Sequence, residues 1–257
     1  MSAFESDWRE VMKRLSGPEF LNVVDDLVAF TGLTKKQVCT RIMKRHGKHK
    51  ARGWFHEEWA WHDPKDDGEI GWFYRSAQSY IFSNSRRPRW HMLKNLARLL
   101  PEGRVLDYGG GIGNDVLFLA RRGYEAHYLE LSVVQQEFVR FRSGKHRLKV
   151  KIIEPHHEGR LDPVECVDAE YNAVLLQHVL EHIPNYHIPL GHLIGRLRPG
   201  GYIIEHSPFN VRDPKSKNGW RRNKLTHLEA SIPLTEAMVG MRLVHRHKRG
   251  PQIWRKT

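Results

Sequence analysis

The eleven residues Val105-Leu-Asp-Tyr-Gly-Gly-Gly-Ile-Gly-Asn-Asp115 constrain this chain more than any other stretch. Arg104-Val-Leu106 is a short apolar run that reads as the end of a buried strand. Asp107 closes the strand, and Gly109, Gly111 and Gly113 follow at alternate positions. Val116 to Arg122 then reads as a helix stopped by Gly123. Strand, glycine turn and helix together make a ligand cradle. Glycine takes left-handed angles and lets a ligand approach the backbone, and the helix start offers N–H groups with no partner within the helix.

Two ligand classes use such a cradle. A dinucleotide fingerprint has the spacing G-x-G-x-x-G and sets a pyrophosphate on the helix start. Here the spacing is D-x-G-x-G-x-G, with Asp107 two residues before Gly109. A carboxylate at that point repels a pyrophosphate and suits a cation. At these residues the chain resembles the class I S-adenosylmethionine-dependent methyltransferases, whose first motif is acid-x-Gly-x-Gly-x-Gly. The resemblance implies a cofactor with an amino group and a sulfonium and no phosphate. It also implies a Rossmann-like, doubly wound α/β sheet with a closing β-hairpin.

Tyr124 to Leu129 reads as a second strand that ends in Glu130. An acid about 20 residues beyond a glycine turn accepts ribose hydroxyls, and the resemblance gives Glu130 both of them. Tyr171 to Leu176 reads as a buried strand, followed by Gln177-His-Val-Leu-Glu-His-Ile-Pro-Asn185, a helical stretch to Arg198, the turn Pro199-Gly200-Gly201 and a strand Tyr202–His206. This order resembles the fourth strand, following loop, helix and fifth strand of small-molecule methyltransferases such as those of quinone biosynthesis. The family often has Asp where this chain has Asn172. The resemblance covers residues 101–206 and is weaker outside them. It places Gln177 near the methionine end of the cofactor and an acid or polar residue near the adenine, for which Glu154 after the strand Leu148–Ile153 is the candidate.

Charge divides the chain. Net charge is +13 overall, made up of +6 in residues 1–100, −2 in residues 101–206 and +9 in residues 207–257. Basic flanks around a near-neutral centre suit an anionic acceptor or nucleic acid. A basic surface without any such partner has the same composition. No run approaches the roughly 18 apolar residues of a membrane helix, and the first residues lack a signal pattern. The two cysteines, Cys39 and Cys166, are far apart and make neither a metal site nor a disulfide framework by themselves. A reduced, cytoplasmic protein is the expectation, with residues 1–100 as a helical accessory region and 101–257 as the catalytic domain.

The accessory region reads as three helices: residues 1–17, Glu19 to Phe30, and Thr34 to about His46. Thr34 and Gln37 form a capping-box pattern. Two helices joined by Thr31-Gly-Leu-Thr34, with a basic third helix, also match a helix-turn-helix. A DNA-binding regulator with a ligand-sensing domain is therefore an alternative function. Gly71 to Phe82 is aromatic and interrupted by polar groups. In the resembling family the segment ahead of the first motif folds over the cofactor, so Tyr74, Arg75 and Tyr80 are lid candidates. Arg75 is suited to a cofactor carboxylate. Packing of the joint between domains is the preferred role for Trp72, Phe73 and Phe82.

His178-Val-Leu-Glu-His182 matches H-x-x-E-H, an inverted zinc-peptidase pattern. That pattern needs one helix presenting both histidines, and here a buried strand ends just before it and Pro184 follows just after. No metal is assigned. Methyl transfer to a hydroxyl or amine needs a base, and histidine serves near neutral pH. His178, His182 and His206 follow the fourth and fifth strands and are the candidates, His178 first. In a chain with 17 histidines each is also a candidate for a structural role. Residues 207–229 form a basic loop that could wall an acceptor. The reading is methyl transfer from S-adenosylmethionine to a small acceptor, with an anionic one suited to the flanks. A nucleic-acid methyltransferase is the rival enzyme, though Gln177-His-Val-Leu180 is not the Asp-Pro-Pro-Tyr type of motif that methylates base amines.

Overall fold

A seven-stranded sheet carries the molecule: β1 (Arg104–Tyr108), β2 (Glu125–Leu129), β3 (Val150–Ile153), β4 (Tyr171–Gln177), β5 (Leu197–His206), β6 (Met241–Arg246) and β7 (Gln252–Lys256). It was obtained as a computed structural model that describes residues 22–46, 81–82, 90–155, 164–209, 230–246 and 251–257. The expected helix over residues 1–17, the lid candidates Tyr74, Arg75 and Tyr80, and most of the basic loop (210–229) lie outside the described residues.

The strand order is β3-β2-β1-β4-β5-β7-β6. The first five strands run parallel, and β7 and β6 close the edge antiparallel as a hairpin. The central strands are near-continuous apolar runs because both of their faces are covered. On one face Leu106, Leu129, Val174, Leu176, Ile203 and Trp254 pack with Leu190 and Leu193 of α6 (His187–Gly195). On the other, Val105, Ala126, Ala173, Leu175 and Ile204 pack with Leu93 and Leu96 of α3 (Trp90–Leu99) and Val116 to Leu119 of α4 (Asn114–Arg121). The result is the three-layer α/β sheet that the motif order implied. The order reverses between β1 and β4, and ligands of such sheets bind outside the carboxyl ends of the strands at that switch point.

Two helices ahead of the sheet, α1 (Val23–Thr31) and α2 (Lys35–His46), form a pair. Asn22 caps α1 through its side chain, and Gly32 at φ 69° ends it. The capping box is present: the Thr34 backbone N–H donates to Gln37 Oε1 at 2.9 Å and the Gln37 N–H to Thr34 Oγ1 at 3.3 Å. The pair buries Val23, Val24, Leu27, Val38, Cys39 and Ile42 against Ile81, Phe82, Ile112 of the glycine turn and Phe138 of α5 (Val133–Lys145). Phe82 thus packs a joint, as expected. Arg41 lies over its ring, 5.3 Å from the centroid.

One element differs from the sequence reading. The turn Pro199-Gly200-Gly201 lies inside β5, which begins at Leu197, and α6 stops at Gly195. Leu197 pairs with Tyr171 and Tyr202 with Ala173, so the turn is a bulge in the β4–β5 ladder. Gly200 sits at φ 73°, and a Cβ on Gly201 would come within 2.9 Å of the Arg198 carbonyl and 3.1 Å of the Asn172 carbonyl. Asn172, at the position where the family often has Asp, accepts the Arg104 N–H at 2.9 Å and joins the starts of β1 and β4.

Candidate cofactor and acceptor site

The glycine turn is held on all sides. Gly109 and Gly110 donate to the Leu129 carbonyl at 2.8 and 3.3 Å, tying the turn to the end of β2. The Gly111 N–H donates to Glu130 Oε2 at 2.9 Å, and the Tyr128 hydroxyl donates to the Gly111 carbonyl. Gly109, Gly111 and Gly113 all have positive φ, at 68°, 55° and 74°. A Cβ on Gly109 would sit 2.6 Å from a Val179 methyl, and one on Gly113 2.6 Å from a Val139 methyl. These two glycines meet both demands, a left-handed backbone and no room for a side chain.

Asp107 lies beneath the turn. It is buried, and its Oδ2 accepts the Val116 N–H at 3.2 Å, satisfying one donor of the α4 start. Its carboxyl is raised well above the ordinary range, chiefly by burial, then by Asp115 and, more weakly, Glu130. Glu130 is also buried and raised by burial, against the pull of the Ser132, Gly111 and Leu131 amides. Buried carboxylates that resist ionisation are a setting a cation relieves and a phosphate aggravates.

Glu130 differs in detail from its expected role. Oε2 accepts from Gly111, while Oε1 accepts from Leu131 at 2.8 Å and Ser132 at 3.1 Å. A carboxylate has roughly four acceptor positions. With three backbone donors in place, one position remains for a ligand hydroxyl rather than two. Glu154 lies beyond the end of β3 with its side chain 72% exposed and paired with Arg140.

The post-β4 loop supplies the other half of the edge. Val179 packs against Gly109, so this loop borders the cradle directly. His178 takes φ 59°, a left-handed conformation for a residue with a side chain, and its N–H donates to the His206 carbonyl at 2.8 Å. Such conformations cost about 1–3 kcal/mol and cluster at functional sites. The ring Nδ1 of His178 lies 3.1 Å from Glu181 Oε1, and Glu181 is fully buried. An ionised Glu181 accepts, so Nδ1 carries a hydrogen, and in the neutral ring Nε2 then holds the lone pair. His206 stands edge-on to His178 with centroids 4.8 Å apart. His182 Nε2 is 3.9 Å from the same Glu181 oxygen. The H-x-x-E-H letters fold as a bend just after β4 and a short 3₁₀ turn (Leu180–His182), so they do not share one α-helix. Among the described residues no group of three or more His, Cys, Asp or Glu is arranged to hold a metal ion. Gln177 ends β4 opposite His206.

Sequence comparison agrees with this geometry. A family profile described as a methyltransferase domain matches residues 83–236, more than half of the chain. The chain belongs to the methyltransferase-domain family. S-adenosylmethionine is accordingly its cofactor. Comparison with curated proteins finds no match. Among solved structures the chain resembles TehB from Haemophilus influenzae, at 13% identity, 70% of this chain, 66% of that chain and TM-score 0.53. It also resembles the CcbJ methyltransferase from Streptomyces caelestis, at 18% identity, 67% of this chain, 92% of that chain and TM-score 0.50. At these identities the likeness is one of fold. The chain spans just under two thirds of the TehB chain.

The structure also brings forward residues the sequence did not single out. Glu181, which the sequence marks only as the acid of the H-x-x-E-H letters, lies 3.1 Å from the His178 ring and buttresses it. Ser132 and Gln135, both fully buried beside Glu130 in sequence, have side-chain atoms without a hydrogen-bond partner. Arg142 reaches the glycine turn from the far end of α5, and no local pattern marks it.

Proposed function

We propose that the protein transfers a methyl group from S-adenosylmethionine to a small, anionic acceptor, with His178 as the base. When bound, the cofactor supplies an electrophilic methyl group on a sulfonium. The chain's own part is to hold it and to orient the acceptor. The left-handed turn of Gly109, Gly111 and Gly113 lets the cofactor approach the backbone, Glu130 offers its remaining acceptor position to a ribose hydroxyl, and Asp107 keeps the turn on the start of α4. His178 Nε2 takes the proton from the acceptor's oxygen or nitrogen, while Glu181 holds the ring in that tautomer. His206 flanks the ring, and His182 stands behind as a lesser candidate. Gln177 contributes mainly backbone groups at the cofactor's methionine end. Tyr74, Arg75 and Tyr80 are proposed to close over it.

The observation that carries this reading is the Val179–Gly109 contact. It sets the post-β4 loop against the glycine turn, which supports a base and a methyl donor on one edge. Support for an anionic acceptor comes from the closing hairpin. Arg246 and Gln252 pair at the end of the hairpin that lies beside Glu205 and His206, and the sequence between them continues His247-Lys-Arg249. Cations there attract anionic acceptors. The test is transfer from methyl-labelled S-adenosylmethionine into cell-extract fractions. Label in small, anion-exchange-retained, nuclease-resistant compounds is expected. Label in nuclease-sensitive polymer would overturn the acceptor class in favour of RNA or DNA.

A further inference from the structure

Arg142 and Asp26 are each only 1% exposed and lie 116 residues apart in sequence, with Nε to Oδ2 at 2.9 Å. The other branch of the same guanidinium turns toward the glycine turn. Nη1 donates to the Ile112 carbonyl at 2.7 Å and to Asn114 Oδ1 at 2.9 Å. Asp26 in turn is gripped by Lys145 and His146, each 2.8 Å from Oδ1. Ile112 itself packs into the apolar cluster of the helix pair.

The glycine turn needs such anchors. Its backbone between Gly109 and Gly113 has little conformational preference of its own, because glycine samples many angles. Tyr128, Glu130 and Asp107 anchor it from the sheet side. Arg142 is the anchor from the outer side, at the peptide that joins Gly111 to Gly113. A buried guanidinium keeps its position only with its charge compensated, and its planar fork fixes the direction of the remaining donors.

We propose that Asp26, in the N-terminal helix pair, is a positioning residue for the cofactor turn and acts through Arg142. The helix pair is then part of the cofactor site rather than a separable reader of DNA. This rests on the reading of the glycine turn as the S-adenosylmethionine cradle.

The experiment uses the full chain and two variants. Asp26→Asn keeps the shape of the side chain and removes its charge. Arg142→Lys keeps a charge for Asp26 and removes the fork that reaches Ile112 and Asn114. S-adenosylhomocysteine affinity is measured by calorimetry, and amide hydrogen exchange is read in the ligand-free protein. Each variant is expected to weaken binding by about tenfold or more, to speed exchange at residues 111–114, and to leave β4 amides at the wild-type rate. The double variant is expected to be no worse than the weaker single one, since both break one chain of contacts. Wild-type loop exchange in either folded variant would overturn the proposal, as would acceleration spread evenly over β4 and the turn. If Asp26→Asn does not fold, Arg142→Lys alone decides. Loop exchange is read without ligand, so failure of the cofactor reading is distinct: it appears as a wild-type protein that ignores S-adenosylhomocysteine.

Discussion

Three backbone amides converge on the Glu130 carboxylate, and burial nevertheless raises its proton affinity. If Glu130 accepts from the cofactor as proposed, it must stay ionised, and binding is lost as pH falls through a value above the ordinary ~4.3. S-adenosylhomocysteine affinity is expected to be full at neutral pH and to decline already in mildly acidic solution, which calorimetry across pH checks. Glu130→Gln turns one acceptor into a donor facing backbone N–H groups. Hydrogen bonds to charged groups are worth about 1.5–3 kcal/mol, so roughly tenfold to hundredfold weaker binding is expected. Asp26 has the opposite sign. Burial raises it, but Lys145, Arg142 and His146 outweigh that and hold it below the ordinary carboxylate range. Its stabilising contribution is complete above the unfolded value near ~3.9 and is lost only as pH falls through the lower folded value. At the acceptor end, His178→Ala should cut turnover by about 10²–10⁴ and spare cofactor affinity if the ring is the base. Glu181→Gln should cut turnover at least about tenfold, again with cofactor affinity unchanged. Steady-state rates beside calorimetry separate the two readouts.

Elements were legible where periodicity or capping chemistry spoke locally. The run Arg104-Val-Leu, the alternating glycines and the Thr34/Gln37 box each announce their element within a few residues, and the structure has a strand, a turn and a helix there. The bulge in β5 was hidden because Pro-Gly-Gly has the chemistry of a chain turn, and only pairing with β4 reveals it as one strand. The docking of α1 was hidden for a different reason. Asp26 on its own reads as an ordinary polar residue of an amphipathic helix, and its partner Arg142 is remote in sequence. That docking changes what a truncation does. A chain starting at Trp90 would uncover Ile112 and Phe138 and leave Arg142 without its carboxylate. Breaking a buried pair from one side costs about 3–5 kcal/mol, so a lower melting temperature and lost cofactor binding are expected, beyond lost turnover. Thermal melts with and without S-adenosylhomocysteine check this. At the cradle, Gly109→Ala brings strain of about 1–3 kcal/mol and a clash with Val179. It should disturb cofactor affinity and turnover together, because the same contact joins the turn to the histidine loop.

The whole molecule sets a near-neutral cofactor half beside basic flanks, with +9 in residues 207–257. Among the described residues no helix is long and apolar enough to cross a membrane. Field from such flanks attracts anions and fades with ionic strength. A small anionic acceptor should bind with a modest salt dependence, whereas a nucleic acid would show the steep slope of many phosphate contacts. The acceptor's identity was not legible, since the basic loop proposed to wall it carries charge but no motif, and the H-x-x-E-H letters beside it specify no acceptor. The cofactor was legible, since Asp107, the three glycines and Glu130 stand in the order of the motifs of the resembling family. Parallel calorimetric titrations of the 257-residue chain with S-adenosylhomocysteine and with NAD test that claim most directly. Binding of one equivalent of S-adenosylhomocysteine and no heat from NAD is the result the account predicts. Tight NAD binding, or no response to S-adenosylhomocysteine from a folded protein, would contradict it.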